Sequence, residues 1–270
     1  MRKAIIAVAF MAFTALIAAA TPAMASADTK GLYGPKGNPS LAAANTQGIS
    51  ALTFLYGGAF QFAVADGSSM STTVSRPALA TGDFHSLGEM AAESADGKNI
   101  VEIGWTVDRS LFGDSEPHLF VFHWVNGVPT CYNGCGFVPV ANFASVTAGM
   151  TLPAGNSTTQ FAIQHVQGKW WVSFSGILFG FFPDTLWGNS FTKVGLTQWF
   201  GEVAANSATP CTDMGNGLFS SSPTSAAAVA IGFIGGPAAN ISLNTITNPS
   251  LYSATRTSSN SIRFGGPGAC

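Results

Sequence analysis

The chain of 270 residues contains five glutamates, Glu89, Glu93, Glu102, Glu116 and Glu202. Two of them interrupt runs that otherwise read as strand. Glu102 lies within Ile100-Val-Glu-Ile-Gly-Trp-Thr-Val107, and Glu202 lies within Gln198-Trp-Phe-Gly-Glu-Val203. Glutamate is depleted in strands and costly to bury unpaired, so each is either solvent-facing or kept for chemistry. The chemistry two carboxyls can do together is acid–base hydrolysis: one activates water and the other protonates a leaving group. Crowding raises the pKa of at least one of them, so such a pair shares one proton and works in acid. Alternation places Val101, Ile103 and Trp105 on one strand face and Ile100, Glu102 and Gly104 on the other. Gly104 beside Glu102 and Gly201 beside Glu202 leave each strand open to a close approach. Spacing alone equally allows two unrelated surface glutamates.

Other chemistries find less support. The four histidines form no H-E-x-x-H, and no G-x-S-x-G, P-loop or dinucleotide fingerprint occurs. His85 and Ser86 are adjacent in sequence, which is no sign of a triad, because a triad needs its members to converge in space. His118 and His123 are expected to hydrogen-bond locally. Asp108 and Asp114 flank Leu111-Phe112-Gly113 and read as caps of that turn. Cys131 and Cys135 enclose Asn133-Gly134, a turn signal that suits a local disulfide, which leaves Cys211 and Cys270 for a second. The other pairings stay open, and the spacing is poor for zinc.

The elements that must position these residues are strands. Charged residues make up 9% of the chain and aromatics 11%, with 21 Phe, 6 Trp and 31 Gly, which favours strands and turns over helices. Runs at Phe60–Val64, Met70–Val74, His85–Glu93, Ile100–Val107, Leu119–Trp124, Phe137–Val140, Phe161–Val166, Trp170–Leu178, Gly195–Val203, Ala228–Phe233 and Ser261–Phe264 read as short strands. A short helix is expected within Thr185–Val194, after Pro183. Short strands at this spacing predict an all-β chain, an antiparallel sandwich of jelly-roll type with a concave active-site face.

The N-terminus reads as a secretory signal, residues 1–27. Arg2 and Lys3 precede the apolar Ala4–Ala20, Pro22 and a small-residue cleavage site. An irregular segment, 28–50, leads into one domain, 51–270. Cleavage removes two positive charges and leaves 9 basic against 13 acidic residues, a net charge near −4. That balance gives no reason to expect nucleic acid or an anionic membrane as partner. A secreted monomer is expected. A glycoside hydrolase on the same scaffold, or a non-catalytic binding protein, fits the same residues.

Ordered blocks resemble a known family. They are His85-Ser-Leu-Gly-Glu89, Val101-Glu-Ile-Gly-Trp-Thr-Val-Asp108, Leu111-Phe-Gly-Asp114, Pro117-His-Leu-Phe-Val-Phe122, Cys131-Tyr-Asn133, Trp170-Trp171, Gly180-Phe-Phe-Pro183, Trp199-Phe-Gly-Glu-Val203 and Met214-Gly-Asn-Gly217. This string closely resembles the neprosin family, secreted glutamic endopeptidases first known from pitcher-plant digestive fluid. The resemblance implies an antiparallel β-sandwich and catalytic glutamates at Glu102 and Glu202. It also implies a peptide or protein substrate, hydrolysed in acid after proline without metal or other cofactor, and it supports a Cys131–Cys135 disulfide. Trp105, Tyr132, Trp171, Trp199 and Gly201 are candidates to line the cleft, where aromatics can stack on proline; core packing is the alternative for each aromatic. Two departures stand out. Phe200 replaces the family's glycine beside Gly201, and the segment before the domain is short beside the inhibitory pro-domain of plant members.

Overall fold

The computed structural model describes residues 52–270 apart from position 245. The signal sequence expected at 1–27 and the segment 28–50 lie outside the described residues. The strands are β1 (Thr53–Ala65), β2 (Gly67–Thr73), β3 (His85–Glu93), β4 (Ile100–Val107), β5 (His118–Val125), β6 (Val128–Pro129), β7 (Val138–Pro139), β8 (Thr158–His165), β9 (Lys169–Phe174), β10 (Ile177–Pro183), β11 (Val194–Ala205), β12 (Ala226–Ile234), β13 (Ser242–Leu243), β14 (Ser253–Ser258) and β15 (Ser261–Gly265). They form two sheets, ordered β13-β1-β11-β3-β4-β5-β6 and β14-β15-β12-β2-β8-β9-β10-β7. Their pairings are antiparallel, and the fold is the expected β-sandwich.

Alternation builds the core between the sheets. Met90, Val101, Ile103, Trp105, Val107, Trp199 and Val203 of the first sheet meet Phe161, Ile163, Trp170, Val172, Phe182 and Phe264 of the second, all buried. Each such large apolar side chain contributes roughly 1.5–3 kcal/mol by leaving water. The first sheet is unusual in burying its other face as well. Tyr56, Leu87, Ala91, Ile100, Phe120, Phe122, Trp124 and Phe200 form a second apolar cluster there, with Phe54 and Tyr132 against it. A sheet buried on both faces explains why β4 and most of β5 lack exposed positions.

Gly57-Gly58 lies inside β1, which continues through both as a thirteen-residue strand. A Cβ at Gly58 would stand 2.3 Å from Cβ of Phe200, so glycine here admits a bulky partner on β11 and makes no turn. The helix expected after Pro183 is one 3-10 turn, Asp184–Trp187, closed by Gly188.

Both expected disulfides form, Cys131–Cys135 and Cys211–Cys270, with Cα separations of 5.8 and 5.1 Å. The second closes 59 residues and ties the C-terminus to the segment after β11. Because cross-linking restricts the unfolded chain more for longer loops, its removal should cost about 4 kcal/mol and removal of the four-residue loop about 2 kcal/mol. Urea unfolding of the Cys211→Ser/Cys270→Ser and Cys131→Ser/Cys135→Ser double variants checks the order. A larger loss from the short loop would contradict it.

Candidate active site

The outward-facing residues of β1, β11, β3, β4 and β5 fall into cross-strand rows. One row runs Tyr56, Glu202, Leu87, Thr106. The next runs Gly58, Phe200, Glu89, Gly104, Phe120, and the third Phe60, Gln198, Ala91, Glu102, Phe122. Glu202, Glu89 and Glu102 therefore form a diagonal, each step being one strand across and two residues along. At about 4.8 Å between strands and 3.3 Å per residue, each step spans about 8 Å between Cα atoms. Glu102 and Glu202 are two steps apart, about 16 Å on a flat sheet, with Glu89 between them. A fourth glutamate, Glu93, follows Ala91 on β3 and faces the row of Leu196 and Ile100.

None of these is a surface glutamate. Glu202 is 0% exposed, Glu89 and Glu93 1%, and Glu102 4%. Glu202 Oε1 lies 2.6 Å from His85 Nε2, and the Tyr56 phenol also hydrogen-bonds Glu202. Glu102 Oε1 accepts the indole N–H of Trp124 at 3.2 Å. Gln198 donates its amide to Glu93. Tyr132 reaches over the same face. Its loop is closed by the Cys131–Cys135 disulfide and pinned to β5, where Asn133 N donates to Val121 O at 3.0 Å and Asn133 Oδ1 accepts Val121 N at 3.0 Å. The Tyr132 hydroxyl is buried and finds no hydrogen-bond partner among the described residues.

The electrostatics follow from burial. The phenols of Tyr56 and Tyr132 are held well above their usual range by desolvation, then by the charges of Glu202, Glu89 and, more weakly, Glu102. Both remain hydrogen-bond donors. Burial pushes the Glu93 carboxyl well above its ordinary value, and the charge of Glu102 adds to this against the opposing Gln198 hydrogen bond. Burial thus favours the neutral form of Glu93 next to the diagonal. Among the described residues, no group of His, Cys, Asp and Glu is placed to hold a metal ion.

Of the expected cleft residues, only Tyr132 is at this face. Trp105 and Trp199 point the other way and are core, both 0% exposed, because alternation sets them opposite in sense to Glu102 and Glu202. Gly201 also faces inward. A Cβ there would stand 2.7 Å from the Phe264 ring, so the glycine makes room for the second sheet and does not open the site. Gly104 does lie on the glutamate face, but what approaches it is β3: a Cβ would meet Gly88 O at 2.3 Å. Trp171 belongs to the second sheet, against Phe181 and beneath Lys169. Sequence reasoning passed over Glu89, Glu93, Tyr56 and His85 as site residues. The signal available was alternation along His85–Glu93, which puts His85, Glu89 and Glu93 on one face.

The remaining polar residues act locally. Asp108 caps the short helix α1 (Arg109–Phe112), accepting from Ser110 N and Leu111 N, and Gly113 ends it. His118 meets Gly149 O and Asp114, and His123 meets Thr130. Burial lowers the His123 pKa to about 4.

A family model described as Neprosin matches residues 82–267. Among solved structures, the chain is similar to a scytalido-glutamic peptidase bound to a peptide-based transition-state analogue, with 10% identity and a TM-score of 0.42 over 80% of this chain and all of that one. It is similar to SCP-B of the eqolisin peptidases, in complex with the tripeptide Ala-Ile-His, with 10% identity and a TM-score of 0.41 over the same shares. Chicken galectin 2 follows with 8% identity and a TM-score of 0.32, over 53% of this chain and 93% of that one.

The raised Glu93 pKa carries a stability consequence. Its native value lies above that of the unfolded chain, so between the two the native state binds more protons. Its contribution is complete below the ordinary glutamate value of 4.5 and is lost as pH rises through the native value. Glu93→Gln should therefore remove a decline in Tm that the wild type shows as pH rises from about 4.5. His123 acts in the opposite sense and is common to both proteins, so the difference between the two melting curves isolates Glu93. Parallel curves would exclude this effect.

Proposed function

The chain belongs to the neprosin family, and from that premise we propose how its own residues carry out glutamic endopeptidase chemistry. Glu102 and Glu202 form the catalytic pair. One, ionised, takes a proton from water as its oxygen bonds to the scissile carbonyl carbon. The other, protonated, hydrogen-bonds the developing oxyanion and then protonates the nitrogen as the C–N bond breaks. The pair ends with its proton transferred from one carboxyl to the other, and exchange with solvent resets it. No metal or cofactor is called for. The Tyr132 hydroxyl, buried and aimed over the same face, supplies a donor to the bound peptide.

The observation that supports this most is the diagonal itself: three dry carboxyls on one sheet face, with two phenols held as donors among them. Carboxyls so placed cannot all ionise without large cost, so the working form keeps protons on part of the set, which suits acid. Secretion is part of the proposal, on the N-terminal signal pattern; the two disulfides and the absence of any membrane-length apolar helix among the described residues fit it. Preference for proline at the cleaved bond rests on the family resemblance. Phe200, set opposite Glu89 and edge-on to Tyr56 with ring centroids 5.8 Å apart, is the residue expected to retune that preference.

One observation favours a second reading. Glu89 lies a single strand from Glu202, closer than Glu102 does, and can take the second carboxyl's role. Glutamate variants assayed on quenched peptides with and without proline, from about pH 3 to 7, separate the two. Glu102→Gln and Glu202→Gln should each lower kcat/KM about 10²–10⁴-fold, with cleavage insensitive to pepstatin and chelators. If Glu89→Gln abolishes turnover and Glu102→Gln does not, the second reading replaces the first. If all three variants keep wild-type rates, the glutamate mechanism is wrong.

A further inference from the structure

His85 has no part in the carboxylate chemistry above, yet its ring is in hydrogen-bond contact with Glu202. It opens β3 one row beyond Leu87 and is 5% exposed. Its Nε2 stands 2.6 Å from Glu202 Oε1, and its Nδ1 stands 4.0 Å from Asp108 Oδ2. Asp108 is itself immobilised, since its Oδ1 accepts Ser110 N at 2.9 Å, Ser110 Oγ at 2.6 Å and Leu111 N at 3.0 Å. The Phe54 ring closes the far side, its centroid 6.4 Å from the imidazole. A carboxylate, an imidazole and a second carboxylate therefore lie in line, running from the helix cap to the sheet face.

We infer that His85, backed by Asp108, is a positioning residue that anchors Oε1 of Glu202 and makes Glu202 the base and Glu102 the acid. This rests on the reading of Glu202 as catalytic. An N–H aimed at a carboxylate oxygen favours the ionised form over the acid, and more strongly when the ring carries its second proton. Tyr56 adds another donor to the same carboxylate. Glu102 meets a neutral indole N–H, a weaker anchor for an ionised carboxylate than an imidazole and a phenol together, an environment that suits the protonated partner. The other titratable groups around the His85–Glu202 contact are Glu89 of β3 and Tyr132 of the disulfide loop. The Tyr132 phenol feels the charges of Glu202, Glu89 and Asp108, and Asp108 stands by the other ring nitrogen of His85. The anchor also fixes the rotamer of the base, and loss of such fixing can cost about 10²-fold in rate.

The test uses the full secreted chain. His85→Ala should lower kcat about 10²-fold with KM within about twofold, because what is lost is orientation of the base and not peptide binding. The acid limb of its kcat/KM profile should move to higher pH by about one unit or more, because the carboxylate loses its stabilising donor. His85→Gln, which keeps a neutral donor, should restore part of the rate, and Asp108→Asn, which keeps the helix cap, should show a smaller shift in the same direction. Unchanged profiles in a folded His85→Ala would overturn the inference. If that variant does not fold, His85→Gln carries the same test. A readout independent of proteolysis is 15N NMR of the ring nitrogens, feasible with only four histidines. The His85 Nε2 signal should change in Glu202→Gln and stay put in Glu102→Gln. If it is indifferent to Glu202→Gln the anchor does not exist. A wild type that cleaves no peptide but shows the NMR change would defeat the functional reading and leave the contact standing.

Discussion

Glu202, Glu89, Glu102 and Glu93 lie on one sheet face from which water is nearly excluded, where an unpartnered carboxylate costs several kcal/mol. Much of the local structure answers that cost. His85 and Tyr56 meet Glu202, Trp124 meets Glu102, and Gln198 meets Glu93. Each partner comes from a different strand, so the carboxyls are satisfied only when β1, β11, β3, β4 and β5 are in their native register. A one-residue slip would turn every glutamate into the core. The site and the sheet therefore specify each other.

The two faces of the first sheet divide the work. The inner face is a conventional apolar core against the second sheet, carrying Trp105 and Trp199. The outer face is covered by its own aromatics and by the Tyr132 loop, which a disulfide closes and which two hydrogen bonds of Asn133, one from its backbone N–H and one to its side-chain Oδ1, fasten to the sheet. Covering it dries the carboxyls, and drying raises the pKa of the two tyrosines and of Glu93. A face with several neutral donors around a few ionised oxygens is what acid hydrolysis of a peptide bond needs. The Cys211–Cys270 disulfide ties Cys270 to the segment after β11.

Much of this was legible from residue order. Alternation over Ile100–Val107 sorts Glu102 from Trp105 correctly, the short strands give the sandwich, and the turn at Asn133-Gly134 marks a disulfide loop. The cleft assignment of Trp105, Trp199 and Gly201 failed because the same alternation that brings Glu102 and Glu202 out sends their immediate neighbours in. Trp171 failed for another reason: nothing in its own segment says which sheet it joins.

The sequence by itself determined the strands, the polarity of their faces, the disulfide-compatible cysteines and, through its ordered blocks, the family. Those properties depend on neighbours a few residues away or on motifs that keep their order. Only the tertiary structure decided that Glu89 stands between Glu102 and Glu202, that His85 closes on Glu202 across a separation of 117 residues, and that the whole row is dry. Strand order and register join residues far apart in the chain, and burial depends on what covers them. Neither is written in a local pattern, so the glutamate pair read from the sequence became a diagonal of three with a histidine at its end.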